Sequence, residues 1–287
     1  MNHNAGTVIL PDKTEVTSIG EGTWYLGEDP RSYNAEKESL IEGIRSGLTL
    51  IDTAEMYGSG AAEQLVGEVI RGMKREDLFL VSKVLPGNAG GTRIIRSCEE
   101  TLRRLKTDYL DLYLLHWRGS FPLSETIQGM NELIVQGKIR RWGVSNFDTR
   151  DMEELWQTPG GKACCINQDL YHLASRGIEY SLLPWMREHN IPLMAYCPLA
   201  QRGSLKKGLY ENGTLKEIAE SHHATVSQIL LAFAVRGGDV VAIPRTGHAD
   251  HARENAAAKQ IVLTEDELKR LEKEYPAPES EQPLDIQ

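Results

Sequence analysis

Residues 47–58 read GLTLIDTAEMYG. Leu48, Leu50 and Ile51 are apolar and Thr49 is β-branched, the composition of a strand buried on both faces. Asp52 stands where that strand should end, and Tyr57 precedes a glycine turn. Residues 62–71 then place Leu65, Val66, Val69 and Ile70 on one face of a helical pattern. Strand, polar end, turn and amphipathic helix together form one βα unit.

The same unit recurs along the chain. Strands are predicted at 17–22, 49–52, 78–82, 109–115, 139–144, 164–167, 192–196 and 240–243. Helical patterns follow at 35–46, 62–71, 92–105, 123–136, 149–156, 180–189, 226–235 and 248–257. Eight repeats in 287 residues predict an α/β fold, a closed (β/α)8 TIM barrel in one domain spanning 1–287. Residues 7–17, with Pro-Asp-Lys at a turn, are predicted to form a β-hairpin at the barrel bottom. Extra C-terminal helices are predicted at 213–221 and 264–274, the second opened by a Thr264/Glu267 capping box. The final YPAPESEQPLDIQ is expected to lie loosely on the surface.

Composition narrows the function classes. Hydrophobic residues make up 40% and charged residues 25%, as in ordinary globular proteins. A formal net charge of −9 argues against general affinity for nucleic acid or anionic membrane. No apolar run approaches the roughly 18 residues that span a bilayer, and the N-terminus carries no signal-peptide pattern. Cys98, Cys164, Cys165 and Cys197 form no C-x-x-C pair and read as reduced thiols. A cytoplasmic location is expected.

In such barrels chemistry sits at the C-terminal ends of the strands. The predicted ends supply Asp52, with Tyr57 in the following loop, Lys83, His116, Ser145 and Asn146, Gln168, Tyr196 and Arg245. Asp52, Tyr57, Lys83 and His116 make chemical sense as a set. A phenol is a poor donor at neutral pH. A nearby ammonium would lower its pKa, and a carboxylate would hold the ammonium. A neutral His would orient a substrate oxygen. The amides of Asn146 and Gln168, with the Ser145 hydroxyl, suit a carboxamide, and Tyr196 suits stacking on a flat heterocycle. Arg245 and Thr246 follow the eighth strand, where barrels often bind phosphate, and the 197–204 loop CPLAQRGS is turn-rich. A Rossmann fingerprint is absent. His222-His223 and His248-x-x-His251 lack metal-site spacing, so no metal is expected.

The stretches GEGTW, IDTAEMYG, VSKV, LLHW, GKIRRWGVSNF, NQ, AYCPLA and IPRTGHADHARENAAA resemble the aldo-keto reductases, in family order and over nearly the whole chain. GEGTWYLGED and LWQTPGG resemble a bacterial subgroup that reduces methylglyoxal and other small aldehydes. The resemblance implies an NADPH-dependent oxidoreductase that reduces aldehydes or ketones, with Tyr57 as general acid, Lys83 and Asp52 tuning it, and His116 orienting the carbonyl. It implies a cofactor held by Gly22, Thr23, Trp24, Asp52, Ser145, Asn146, Gln168 and Tyr196. It adds Cys197, Pro198, Leu199 and Ala200, Ile243, Arg245 and Thr246, and Arg253, Glu254 and Asn255. Trp24, Tyr57, His116 and Trp117 would border the substrate. Three departures stand out: His251 where many members have Arg, Cys197 where Ser is usual, and Leu85 where several have Trp. A monomer is the default, with a small carbonyl compound as partner. The alternatives are a non-catalytic NADPH-binding redox-sensor or regulatory subunit, which the intact tetrad and lack of an interaction extension argue against, and a metal-dependent hydrolase, which would need more His and carboxylate ligands at strand ends.

Overall fold

The computed structural model describes residues 6–200 and 203–287. The middle of the 197–204 loop, residues 201–202, lies outside them, as do residues 1–5.

The chain opens with an antiparallel hairpin, β1 (Thr7–Ile9) and β2 (Glu15–Thr17). Eight parallel strands follow: β3 (Glu21–Gly22), β4 (Leu50–Asp52), β5 (Phe79–Val84), β6 (Leu112–Leu115), β7 (Trp142–Ser145), β8 (Asn167–Leu170), β9 (Leu193–Tyr196) and β10 (Val240–Ala242). They pair in strict chain order. First and last strands meet through an Ile19–Ala242 bridge, with Gly20 N donating to Ala242 O and Ala242 N to Ser18 O, each at 2.8 Å. The sheet therefore closes into the predicted barrel.

Alternation of side chains along each strand sorts the residues into two cores. Leu50, Phe79, Val81, Leu112, Leu114, Ile166, Met194 and Val241 point inward, and Val8, Leu10 and Val16 of the hairpin join them. The hairpin thus plugs the bottom, as expected, and Arg141 pins it through Asp12 and Thr14. Ile51, Leu80, Tyr113, Val144 and Ala195 point outward into a second core shared with the helices. Two residues above the inward apolar positions stand Asp52, Lys83, His116, Gln168 and Tyr196. Each of these five inward rows is apolar below and polar at its upper end.

Helices α1 (Tyr33–Arg45), α2 (Ala61–Val69), α3 (Gly91–Leu105), α4 (Leu123–Val135), α5 (Thr149–Gln157) and α6 (Leu182–Glu188) follow the first six barrel strands. Then come α7 (Ser204–Glu211), α8 (Gly213–Ser221), α9 (Val226–Val235), α10 (Ala249–Ala257) and α11 (Glu265–Glu274). The Thr264/Glu267 capping box forms as read, and two more open α5 and α9.

Four expectations need correction. The sixth barrel strand begins at Asn167 and shares only that residue with the predicted 164–167. Its place is set by pairing to β7 (Val144 opposite Asn167, Ser145 opposite Gln168) and to β9, not by the apolar run Cys164–Ile166. Most of the predicted 17–22 strand is irregular, Thr17 belonging to the hairpin and only residues 21–22 to β3. Helix α7 was not foreseen. The C-terminal stretch is mostly exposed but is tied down: Leu284 packs on the outer core, Ser175 Oγ bonds Asp285 and Cys197 Sγ bonds Gln287 Oε1.

Candidate active site

Lys83 is the centre of the site. It is the fifth residue of β5, inside the strand rather than beyond it, with its side chain pointing inward and fully buried. An ammonium has three donors, and all three are used: Asp52 Oδ2 at 2.7 Å, Thr53 O at 2.9 Å and Tyr57 Oη at 2.8 Å. Because Lys83 donates to the phenol oxygen, the phenol's own proton is free to be directed elsewhere. Asp52 is fixed from its other side by Gln168 Nε2, 2.8 Å from Oδ1. Its backbone carbonyl accepts from both Thr23 N and Thr23 Oγ1.

Burial controls the electrostatics. It raises Asp52 above the usual carboxylate range, an effect that Lys83 and Gln168 only partly offset. It lowers Lys83, partly offset by Asp52. It pushes Tyr57 well above 10, and the Asp52 charge adds to that. The expectation that the nearby ammonium lowers the phenol's pKa is therefore corrected. The ammonium is in place, but the cost of desolvating a phenolate outweighs it, and the phenol keeps its proton at neutral pH. His116 is pushed down to about 2 by burial and by the Lys83 charge, so its imidazole is neutral. Its Nδ1 is buried without a hydrogen-bond partner. The tautomer protonated on Nε2 makes it a donor toward the cleft.

A cleft of about 600 Å³ opens above this group. Gly22, Thr23 and Trp24 form one side with Asp52, Tyr57, His116 and Trp117. Ser145, Asn146, Gln168, Tyr196 and Cys197–Ala200 form the other, with Ile243 and Arg245 beyond. Trp24 lies over Tyr57 with ring centroids 6.1 Å apart, and His116 meets Tyr57 edge-on at 5.8 Å. Asn146 adopts a left-handed backbone (φ 56°), which asparagine tolerates, and this turns its amide into the cleft wall. That amide bonds His116 O, Ser145 Oγ and the Tyr196 hydroxyl. Ser145 Oγ donates to Gln168 O.

Four predicted cofactor residues do not reach the cleft wall, and Lys83 lies buried beneath it. Thr246 accepts from His248 N, and Arg253 pairs with Glu42 and Asp250. Glu254 O accepts from Gln228, and Asn255 is buried in α10. Leu85, where several members have Trp, is also off the wall. His251 is exposed and meets His248 edge-on at 5.2 Å. Tyr25, Glu28, Asp29, Met56, Lys206, Pro244 and Gln287 do line the cleft and were not foreseen. Tyr25 and Met56 were legible as neighbours of Trp24 and Tyr57, whereas nothing local marks Gln287, 90 residues beyond Cys197. Among the described residues no group of His, Cys, Asp and Glu is arranged to hold a metal, and no helix is long and apolar enough to cross a membrane. His222 instead bonds Glu267.

Known proteins share this arrangement. The chain is 54% identical to methylglyoxal reductase YeaE of Escherichia coli (strain K12), over 98% of its own length and 97% of the relative's. It is 33% identical to glyoxal reductase of Bacillus subtilis (strain 168), covering 93% and 91%. An aldo/keto reductase from Klebsiella pneumoniae, solved in complex with NADP and acetate, superposes with a TM-score of 0.96 at 51% identity, covering 98% of this chain and 99% of that one. The profile of the Aldo/keto reductase family matches residues 18–275, nine-tenths of the chain and every strand of the barrel. With that match over the barrel and these identities over nearly its whole length, the chain belongs to the aldo/keto reductase family.

Proposed function

We propose that this protein is an NADPH-dependent reductase of small aldehydes and methylglyoxal-like dicarbonyls. The observation that carries the reading is the Lys83 ammonium, buried and fully used by Asp52, Thr53 and Tyr57 at the floor of the cleft. The similarity to methylglyoxal and glyoxal reductases, and to a structure solved with NADP, supports the substrate class and the cofactor.

The cleft fits the cofactor. Tyr196 offers a flat ring beside the amides of Asn146 and Gln168, suited to a nicotinamide and its carboxamide, and Arg245, beside Gly22 and Tyr25, adds a cation to the lining. NADPH, when bound, supplies the hydride. The remaining chemistry belongs to the chain. His116 donates to the carbonyl oxygen and orients it. Tyr57 gives its proton to that oxygen as negative charge develops there. Lys83 stabilises the phenolate left behind, which solvent then reprotonates. Trp24 and Trp117 exclude water from the reacting carbonyl. The acidic net charge supports a protein that does not bind nucleic acid. We read it as a single-domain cytoplasmic monomer.

The test is NADPH oxidation with methylglyoxal and a panel of small aldehydes, run beside Tyr57→Phe. The variant should bind NADPH as the wild type does, with kcat lower by about 10²–10⁴-fold. Unchanged turnover in Tyr57→Phe would overturn the assignment.

A further inference from the structure

The segment that carries Tyr57 is not regular structure. Between β4 and α2 the chain runs through Thr53–Met56 and then through Gly58 and Ser59, both with left-handed backbones (φ 55° and 52°). Such a loop has little intrinsic reason to hold a phenol within 2.8 Å of Lys83 Nζ. Its internal hydrogen bonds, Tyr57 N to Ala54 O and Ser59 N to Met56 O, bend it but do not fix it to the barrel.

Backbone bonds from Thr53 N to Val81 O and from Glu55 N to Lys83 O tie the start of the loop to β5, and the Glu55 side chain, two residues before Tyr57, extends that attachment. Its carboxylate accepts from Leu85 N at 2.7 Å, from Asn88 Nδ2 at 3.0 Å and from Ser97 Oγ. These donors lie 30 to 42 residues along the chain. Leu85 and Asn88 follow β5, just after Lys83, and Ser97 is a buried residue of α3. The 85–90 segment in turn packs against the segment after His116. A Cβ on Gly119 would strike Pro86, and one on Gly90 would strike the Phe121 ring. One carboxylate thus joins the Tyr57 loop to the segment following Lys83 and, through it, to the segment following His116.

We propose that Glu55 is a positioning residue for proton transfer. It touches neither substrate nor cofactor; it sets where Tyr57 Oη stands relative to Lys83 and the carbonyl. The inference rests on Tyr57 being the proton donor. A carboxylate suits the site because Leu85 N and Asn88 Nδ2 can only donate and the Ser97 hydroxyl donates here as well. Glutamine in its place would make the bonds to Leu85 N and Asn88 Nδ2 neutral rather than charge-assisted and would force the Ser97 hydroxyl to turn and accept from the new NH2.

The experiment measures kcat, the carbonyl KM, the NADPH dissociation constant by fluorescence and the thermal midpoint. It is run for wild type, Tyr57→Phe, Glu55→Gln, Ser97→Ala, Asn88→Ala and the Glu55→Gln/Ser97→Ala double variant, with methylglyoxal as substrate. Displacement of a reacting group by about 1 Å costs on the order of 10²-fold in rate. Glu55→Gln should lower kcat about 10- to 100-fold, with NADPH affinity and carbonyl KM within about twofold of wild type. Ser97→Ala should lower kcat in the wild-type background and add less than its full effect to Glu55→Gln, since both act on the same contact. A merely structural residue would move NADPH affinity and KM together with kcat. Near-wild-type kcat in Glu55→Gln overturns the proposal, and so does a loss of kcat matched by a loss of NADPH affinity. If Glu55→Gln does not fold, the single-contact variants decide: both at wild-type kcat overturn it, and reduced kcat at constant affinity upholds it. A wild type that turns over no carbonyl removes the functional reading and this proposal with it, whereas an active wild type with an active Glu55→Gln removes this proposal alone.

Discussion

Replacing Lys83 by methionine separates what the buried charges do for folding from what they do for the reaction. Lys83 and Asp52 are 0% and 2% exposed and meet at 2.7 Å. Methionine nearly conserves the volume, so the change is mainly electrostatic. It leaves Asp52 in the same dry site with Gln168 Nε2 as its remaining side-chain donor. Breaking a buried pair from one side costs about 3–5 kcal/mol. For a chain of this size each kcal/mol lowers the melting midpoint by about 2 °C or somewhat more, so Lys83→Met should melt about 10 °C below wild type at pH 7. Asp52 already titrates above its ordinary range because it is buried, and without the ammonium it must rise further. A group whose pKa is raised on folding favours the fold at low pH and loses that contribution as pH rises through the folded value. The deficit of Lys83→Met should therefore shrink as pH falls from 8 to 5. The double variant Asp52→Asn/Lys83→Met removes both charges and should recover most of the stability. It should recover none of the turnover, because nothing then stabilises the Tyr57 phenolate. Urea melts followed by Trp fluorescence at pH 5, 6.5 and 8, with single-turnover NADPH oxidation, read both properties. A deficit independent of pH, or a double variant no more stable than the single one, would refute the account of a buried charge held by its partner.

Asp169, on the outward face of β8, is fully buried, and neither carboxyl oxygen has a hydrogen-bond partner. Desolvation raises its pKa well above 3.8, and the nearby backbone N–H groups of Asn146 and Phe147 offset only part of this. The wild type should lose stability as pH rises from about 4 through that raised value, by at most about 1.4 kcal/mol per pH unit, and Asp169→Asn should lack this slope. Urea midpoints of the two proteins that run parallel between pH 5 and 8 would contradict the assignment. Gly22 lies at the seam that closes the barrel, where an added Cβ would stand 2.8 Å from Ile243 O, a backbone atom. Gly22→Ala should cost about 1–3 kcal/mol by overpacking, measured by thermal unfolding; a wild-type midpoint would show that the seam gives way freely.

The barrel and the tetrad were legible for the same reason. Burial of a strand between two layers leaves an apolar run, and a polar residue at its upper end on the inward face stands at the site. Asp52, Lys83, His116 and Gln168 all announce themselves in this way. The helices were legible because an apolar face recurs every 3.6 residues whatever lies opposite it, and α9 was bounded to the residue. These patterns are local, so local sequence carries them.

Three features depended on parts of the chain that meet only in the fold. The start of β8 was misplaced because Asn167 and Asp169 look unlike strand residues, while the apolar 164–166 run does. Hydrogen bonding to β7 and β9 decided the register. Tyr57's proton affinity was misjudged because sequence reveals a neighbouring ammonium but not how completely the phenol is shut away from water, and desolvation is the larger effect. The partners of Glu55, and the approach of Gln287 to Cys197, join residues 30 to 90 positions apart. Sequence by itself determined which residues are candidates for the chemistry, since each sits at or just beyond the end of a locally encoded strand. Tertiary structure alone decided their charge states and the placement of Tyr57, because both depend on how groups distant in the chain close around a single buried ammonium.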